Sequence, residues 1–303
     1  MFSKYLADVS EQKFLVQVFG PGEVVPAFQV FDAVSAGTVE MGNTASYYYI
    51  GKDLAFAFGT AVPFGLNTRQ MNAWLSYGGG LDLLNDLYKT YNVYGVPFGN
   101  TTAQMGGWFR KEIKTVDDLK GLKFRVGGVA GQVLSRLGVV PQQLPPADIY
   151  PALEKGAIDA AEWIGPYDDE KLGFVKIAPY YYYPGWWEGC ANGFLYINSA
   201  KWAELPKAYQ QMVSTVAGHW PPISLPSTTA ATRRRSNAWL PRAHSCVRSR
   251  SIFWMPATRR ARSCLPRLRR KTRSSRSFTT RRRLFATTNT HGIRSAKPRT
   301  MPT

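Results

Sequence analysis

Acidic residues are missing from the last third of the chain. Glu204 is the final one in a sequence of 303 residues, so residues 205–303 carry 22 basic side chains and no side-chain carboxylate. Residues 1–204 carry the other 16 basic residues and all 20 acidic ones, a net charge of −4. Folded soluble surfaces normally intersperse charges of both signs. The overall charge of +18 is therefore the sum of a weakly acidic segment and a strongly basic one.

Long hydrophobic runs and paired cysteines are also missing. No stretch approaches the roughly 18 apolar residues of a membrane-spanning helix, and residues 2–9 have the pattern of a helix rather than of a secretory signal. Cys190 is the only cysteine before residue 205, which excludes a disulfide framework or cysteine-based metal site there. Nucleophile elbows, phosphate loops, paired-histidine metal motifs and dinucleotide fingerprints are absent too.

Short strands and helices alternate through the first 217 residues. Residues 13–19 have the pattern of a buried strand, and residues 122–163 read as a β-α-β-α-β unit. This alternation predicts an α/β fold with mainly parallel sheets and helices on both faces. Ligands in such sheets bind beyond the carboxyl ends of the strands, which here means residues 125–128 and 162–165.

Six stretches of this region form a recognisable set. They are ASYYY at 45–49, AVPFGLN at 61–67, QMGGWFR at 104–110, KGLKFRVGG at 120–128, DIYPALEKGAIDAAEW at 148–163 and YYPGWWE at 182–188. Together, and in order over roughly residues 2–217, they resemble the extracytoplasmic solute receptors of TRAP transporters. The resemblance is to the branch associated with 2-oxo acids and other monocarboxylates, often labelled mannitol/chloroaromatic.

The resemblance implies a two-lobed protein of the periplasmic binding type. Lobe I would comprise residues 1–100, lobe II residues 101–190, and residues 191–217 would return toward lobe I. The implied function is capture of a small carboxylate in the periplasm for TRAP membrane permease subunits, without catalysis and with a homodimer as one option. The family's export signal and first strand are lacking here, so we expect an N-terminally truncated chain.

The tail, residues 218–303, allows two interpretations. Its arginine runs amid Ser, Thr and Pro resemble a disordered nucleic-acid-binding arm. Alternatively, the tail is translated out of frame, because three of its segments, written in GC-rich codons and shifted by two bases, yield peptides that resemble the family's C-terminal third in order. We favour a frameshift between Val213 and Leu225, a disordered tail and no nucleic-acid partner.

Arg125 is the first candidate site residue. It ends a predicted buried strand beside Gly127 and Gly128, and a guanidinium there can grip a carboxylate through two parallel hydrogen bonds. The alternatives are an exposed arginine or one paired with a structural carboxylate. The family resemblance favours Arg125 as the anchor of the substrate carboxylate.

Two carboxylates form the second candidate. Glu162 and Glu188 each lie at the end of an apolar or aromatic stretch, where a surface carboxylate is the ordinary interpretation. If both faced the ligand, they would repel an anion unless a cation lay between them. The resemblance implies such an ion, sodium or calcium, with Gln104, Glu162, the Trp163 carbonyl and Glu188 as its shell.

Aromatic residues are the third candidate. Phe64, Trp163 and Trp187 could line the pocket, although core packing is an equal alternative for each. The predicted substrate contacts are thus Arg125, Gln104, Trp163 and Phe64. Residues 180–183, four successive tyrosines, fit hinge or sheet packing better than ligand contact.

Three classes of function remain at this point. The leading one is a solute receptor that does no chemistry. An enzyme could use Glu162 and Glu188 as acid and base on a carboxylate held by Arg125, but no histidine, cysteine or redox motif accompanies them. A nucleic-acid binder acting through the tail would show a steep salt dependence of binding.

Limited proteolysis tests the interpretation of the tail. A basic segment without apolar periodicity resists compaction, so we expect protease to remove it and leave a core that ends near residue 217. Mass spectrometry of the fragments measures this end point. A protease-resistant fragment that contains residues 233–303 would contradict the expectation.

Overall fold

The computed structural model describes residues 1–218 and the backbone of residues 245–248. Within them the helices are α1 (Phe2–Val9), α2 (Val30–Ala36), α3 (Ala57–Thr60), α4 (Thr68–Tyr77), α5 (Gly80–Lys89), α6 (Gly128–Ser135), α7 (Pro146–Glu154), α8 (Pro166–Leu172), α9 (Ser199–Glu204) and α10 (Lys207–Gly218). The strands are β1 (Met41–Thr44), β2 (Val93–Asn100), β3 (Gly107–Phe109), β4 (Lys123–Arg125), β5 (Val140–Gln142), β6 (Ala160–Ala161), β7 (Tyr180–Tyr183), β8 (Asn192–Asn198) and β9 (Ser245–Arg248).

Two sheets organise these elements. The first has the order β1-β8-β2, and the second has the order β5-β4-β6-β3-β7-β9. The predicted α/β class with two sheets is confirmed. The strands of the first sheet come from residues 1–100 and 191–217, and β3 to β7 come from residues 101–190. The assignment of these ranges as separate lobes stays a prediction.

The sheets are mixed rather than mainly parallel. Strand β4 runs parallel to β5 and β6, as the crossover helices α6 and α7 require. Strand β3 instead pairs antiparallel with β6 and β7, and β8 pairs antiparallel with β1 and β2. The expectation of mainly parallel sheets was wrong because it extended the local β-α-β pattern to strands that have no such crossover.

The β-α-β-α-β unit itself is confirmed. Helix α7 begins at Pro146, whose missing N–H costs nothing in the first turn of a helix, and buries Ile149 and Leu153 on one face. The chain leaves this helix through Gly156, whose φ of 72° suits a residue without a side chain. The unit brings the carboxyl ends of β4 and β6 to the same edge of the second sheet.

Two connecting segments, residues 101–106 and 184–191, join the sheets. They run side by side: the Thr101 amide donates to the Ala191 carbonyl at 2.9 Å, and the Gln104 amide donates to the Glu188 carbonyl at 3.1 Å. The Gly185 amide returns a hydrogen bond to the Gln104 carbonyl at 3.0 Å. A side chain at Gly185 would collide with the Met105 carbonyl, so glycine permits this close approach.

Residues 13–19 do not form the predicted buried strand. The segment has no regular secondary structure, and Leu15, Val18 and Phe19 are exposed. Among the described residues, no strand pairs with it. An apolar run forms a stable strand only when a neighbour satisfies its backbone groups.

The tail is described only at Gly218 and at β9. Strand β9 pairs parallel with β7, with Ser245 opposite Tyr180, so these four residues differ from the expectation of a wholly disordered tail. The rest of that expectation, and the reading of residues 233–235 as part of a basic arm, lies outside the described residues.

Phe31 lies at the centre of the aromatic core beside the first sheet. Its ring lies 4.9 Å from that of Tyr49, 5.1 Å from Phe56 and 5.0 Å from Tyr196. We expect Phe31→Ala to lower the free energy of unfolding by about 3–5 kcal/mol, because it leaves a cavity that the surrounding rings cannot fill. Chemical denaturation measures the loss.

Tyr77→Ala is the control for this substitution. Its side chain is 90 % exposed, so truncation should change the free energy of unfolding by less than about 0.5 kcal/mol. Equal effects of the two substitutions would contradict the assignment of Phe31 to the core.

Candidate solute-binding site

A buried ion pair lies at the edge where β4 and β6 end. Arg125 is the last residue of β4 and pairs in register with Ala161, so it lies next to Glu162. The Arg125 Nη1 donates to the Glu162 carboxylate at 2.5 Å and to the Glu162 carbonyl at 2.8 Å. Both side chains are almost fully buried. The structure thus brings together two of the predicted site residues.

The other two nitrogens of Arg125 form hydrogen bonds of different length. Its Nε donates to the Leu144 carbonyl at 3.3 Å, and its Nη2 has a long hydrogen bond of 3.5 Å to the Tyr48 hydroxyl. The guanidinium also lies 5.3 Å from the centre of the Trp163 ring. Nη2 is therefore the nitrogen with the most capacity for a ligand. Pairing with a carboxylate of the protein, one of the alternatives for Arg125, occurs with Glu162.

The charge states in the site follow from burial and pairing. Burial acts to lower the pKa of Arg125, but Glu162, Tyr48, Tyr47 and Glu188 together outweigh it. The pKa is therefore raised, and the guanidinium stays charged. Burial raises the pKa of Glu162, opposed by Arg125 and by the Gly127 amide, which donates to its Oε1 at 3.3 Å.

Glu188 is the least compensated carboxylate. It is buried, and among the described residues no group donates a hydrogen bond of good geometry to either of its oxygens. Burial raises its pKa well above the ordinary value, and the charge of Glu162 raises it further, while Arg125 and the nearby Tyr47 hydroxyl lower it. Burial and the charge of Glu162 thus favour the protonated form of Glu188 more strongly than in an exposed glutamate.

Four buried oxygens of the candidate residues lack a hydrogen-bond donor in the part of the chain that the structure describes. They are Gln104 Oε1, Glu162 Oε2 and both carboxylate oxygens of Glu188. The Gln104 amide nitrogen donates to Thr101 Oγ1 at 3.1 Å, which leaves the amide oxygen without a partner. Buried acceptors without donors are costly. A set made only of carboxylate and amide oxygens suits a hard cation such as sodium or calcium.

The composition of this set explains why sequence motifs do not show it. Among the described residues, no group of three or more His, Cys, Asp or Glu side chains could hold a metal ion. The candidate shell instead combines two carboxylates with neutral oxygens. Gln104 and Glu188 come from the two connecting segments, and Glu162 follows β6.

Two tyrosines near the ion pair are not predicted by any local sequence pattern. Tyr47 and Tyr48 follow β1, and the charges of Arg125, Glu162 and Glu188 all influence their pKa values, although burial is the main cause that raises them. A Cβ on Gly127 would lie 2.8 Å from Tyr47 Cζ, so the glycine makes room for this ring. The stretch 45–49 was noted only for its family resemblance, and no local pattern indicates contacts across eighty residues.

The predicted aromatic residues divide into two groups. Phe64 is partly exposed and stacks on Trp186, with ring centres 5.2 Å apart, and Trp163 is partly buried beside Arg125. Their roles as ligand contacts stay predictions. Trp187 instead packs in the core against Phe124, and residues 180–183 form β7, as the packing interpretation expects.

Comparison with known proteins gives the family. The model of the bacterial extracellular solute-binding proteins, family 7 (DctP), matches residues 1–222. The chain belongs to this family. The match ends inside the interval in which we locate the change of reading frame, but the frameshift itself stays a prediction. In the described residues, no helix has the length and apolar character needed to cross a membrane.

Relatives of this solute-binding protein are similar over the same region. A monocarboxylate 2-oxoacid-binding periplasmic protein of Nostoc sp. (strain PCC 7120 / SAG 25.82 / UTEX 2576) is 57 % identical over 213 residues, which make up 70 % of this chain and 58 % of the relative. The chain thus matches less than two thirds of that relative's length.

Two solved structures are similar as well. A TRAP transporter solute-binding protein from Bordetella bronchiseptica RB50 is 44 % identical, with a TM-score of 0.92 over 95 % of this chain and 86 % of that one. It is a mixed-occupancy dimer with copurified calcium and picolinate. A TRAP periplasmic solute-binding protein from Pseudoalteromonas atlantica T6c, with bound sodium and pyruvate, is 32 % identical, with a TM-score of 0.89 over 95 % of this chain and 88 % of that one.

The raised pKa of Glu188 predicts a pH-dependent stability. A raised pKa gives stability that is present below the pKa of an exposed glutamate and is lost as the pH rises through the folded-state value. Glu188→Gln is neutral throughout. We therefore expect this substitution to favour the folded state more at pH 8 than at pH 5, by about 1 kcal/mol or more. Denaturation in sodium-free buffer with a chelator measures this difference.

Glu154→Gln provides the matched control. Glu154 is exposed at the end of α7, so its substitution should change the free energy of unfolding equally at both pH values. If Glu188→Gln behaves in the same way, the carboxylate of Glu188 is already compensated in the folded protein.

Proposed function

We propose that this protein is the solute-binding component of a TRAP-type transporter and captures a small carboxylate, a 2-oxo acid or similar monocarboxylate, with the help of a cation. The observation that carries the proposal is that Gln104, Glu162 and Glu188 have buried oxygens without a hydrogen-bond donor among the described residues, while Glu162 pairs with the buried guanidinium of Arg125. One side of the site can bind a cation, and the other can bind an anion.

Charge balance supports a cation in this role. If Arg125 is charged and both carboxylates are ionised, these three groups have one more negative than positive charge, and an anionic ligand adds another. The raised pKa values of Glu162 and Glu188 mean that a further positive charge would favour this ionised state. A sodium or calcium ion would supply the missing positive charge and a second attachment point for the ligand. Gln104 Oε1, Glu162 Oε2, the Trp163 carbonyl and the Glu188 carboxylate are the groups that would hold it.

Arg125 would bind the carboxylate of the ligand directly. Its Nη1 is committed to Glu162, so Nη2 is the nitrogen that remains for the ligand. The Tyr48 hydroxyl lies beside Nη2 and can donate a further hydrogen bond to the same carboxylate. The rings of Phe64 and Trp163 would contact the apolar part of the ligand, as in most small-molecule sites.

The ligands of the two solved relatives suggest the substrate class. Pyruvate and picolinate each carry a carboxylate next to a second lone-pair donor, a keto oxygen in one and a ring nitrogen in the other. A ligand of this kind can offer the second donor and one carboxylate oxygen to a cation and the other carboxylate oxygen to Arg125. A 2-oxo acid meets this requirement.

The wider assignment rests on the family. A solute-binding protein of this kind would act in the periplasm, deliver its ligand to TRAP permease subunits and do no chemistry. The homodimer, an option suggested by the sequence, has a counterpart in one relative. The enzyme alternative is disfavoured, because Glu162 is engaged by Arg125 and no histidine lies in the described residues. Incubation with candidate 2-oxo acids should yield no product.

Substitution of Arg125 tests the anion side of the site. Arg125→Lys keeps the positive charge but removes Nη2, so the affinity for pyruvate should fall by about tenfold to a hundredfold, the equivalent of ~1.5–3 kcal/mol for a charged hydrogen bond. Calorimetry in the presence of sodium or calcium measures this loss. Arg69→Lys, at an exposed position, is the control. Unchanged affinity in Arg125→Lys would remove Arg125 as the anchor.

Substitution of Glu188 tests the cation side. Glu188→Gln should weaken pyruvate binding in a way that added sodium or calcium partly restores, and removal of both ions from the wild type should reproduce the loss. Glu154→Gln should bind like the wild type under every condition. Full affinity of Glu188→Gln without sodium or calcium would eliminate the bridging cation.

A further inference from the structure

A third buried carboxylate lies near Glu162. Asp169, in the first turn of α8, is fully buried. Its Oδ1 accepts a hydrogen bond from the Ile164 amide at 2.9 Å. Its Oδ2 accepts two more, from Trp108 Nε1 at 2.9 Å and from the Tyr181 hydroxyl at 2.8 Å. Sequence motifs gave no indication of this residue.

The backbone of Ile164 connects Asp169 to the candidate cation shell. Ile164 directly follows Trp163, and its carbonyl accepts a hydrogen bond from the Met105 amide at 2.9 Å. Met105 in turn directly follows Gln104. The peptide groups of Ile164 are therefore held by Asp169 on one side and by the segment that carries Gln104 on the other.

The segment that carries Glu162 and Trp163 needs such an anchor. Strand β6 is only two residues long, and residues 162–165 have no regular secondary structure before α8 begins. The Glu162 amide donates to the Arg125 carbonyl at 3.1 Å, but this bond precedes Trp163. Beyond it, the hydrogen bonds of Ile164 orient the chain.

Two of the groups that donate to Asp169 belong to stacked aromatic side chains. The rings of its two donors, Trp108 on β3 and Tyr181 on β7, stack with centres 3.8 Å apart and an interplanar angle of 13°. All the hydrogen bonds that reach Asp169 from these residues and from Ile164 are donated to it. Asparagine at this position would have an NH₂ group in place of one carboxylate oxygen. This group cannot accept a hydrogen bond and would face at least one of the donors.

We propose that Asp169 is a positioning residue for the cation site: its buried carboxylate holds the Ile164 backbone so that Glu162, the Trp163 carbonyl and Gln104 keep their mutual arrangement. This inference rests on the proposed function, because it concerns the same site. Asp169 itself acts through Ile164 and belongs to neither the cation shell nor the ligand contacts.

The test compares Asp169→Asn with Tyr181→Phe in the full chain. Tyr181→Phe removes one donor to Oδ2 but leaves the bond between Oδ1 and Ile164, so it serves as the matched control. We expect Asp169→Asn to weaken calcium binding in calorimetry tenfold or more. Tyr181→Phe should keep calcium affinity within twofold of the wild type, although it lowers the melting temperature.

Hydrogen exchange provides a readout that does not depend on a bound ion. The Ile164 amide should be protected in the wild type and exchange faster in Asp169→Asn, while remaining protected in Tyr181→Phe. Rapid exchange of this amide in the wild type would overturn the proposal even if no variant folds. If circular dichroism shows Asp169→Asn to be unfolded, Asp169→Ser is measured in its place.

The outcomes separate the two proposals. Calcium affinity within twofold of the wild type in a folded, destabilised Asp169 variant means that Asp169 is purely structural, and the proposed function is unaffected. A wild type that binds neither calcium nor sodium overturns the cation-assisted function and the positioning role together.

Discussion

The ion pair between Arg125 and Glu162 is the constraint on which the site depends. Two charges buried this deeply are stable only when further hydrogen bonds satisfy the groups around them. Here the Leu144 and Glu162 carbonyls accept from the guanidinium, and the Gly127 amide donates to the carboxylate. The pair is thus fixed to the ends of β4 and β6 and to the start of α6.

This pairing also decides which groups remain for a ligand. Glu162 occupies Nη1 of the guanidinium, which leaves Nη2 for a ligand. Arg125 in turn occupies Oε1 of the Glu162 carboxylate, which leaves Oε2. Glu188, buried nearby without a positive partner of its own, adds two further acceptors. Under the proposed function, Nη2 would bind the anion and these oxygens would bind the cation.

The two connecting segments explain how residues far apart in the chain share this site. Gln104 and Glu188 lie on the two segments that connect the sheets, and backbone hydrogen bonds between these segments hold them side by side. Tyr47 reaches the site from the turn after β1 and packs against Gly127. Any change in the relative position of the sheets would therefore alter the distances between these residues.

The sequence by itself determined the β-α-β-α-β unit and the position of Arg125 and Glu162 at adjacent strand ends, because glycines, prolines and apolar spacing act locally and parallel neighbours end at one edge. Glu188 was also a candidate from its position at the end of an aromatic stretch, and the family resemblance implied that it and Gln104 bind a cation. Only the tertiary structure decided that Arg125 donates two hydrogen bonds to Glu162, that Trp187 packs in the core, and that residues 13–19 lack a strand partner among the described residues. It also decided that Tyr47, Tyr48 and Asp169 lie close to this ion pair. These features depend on contacts between residues that are distant in sequence, and no local periodicity encodes such contacts.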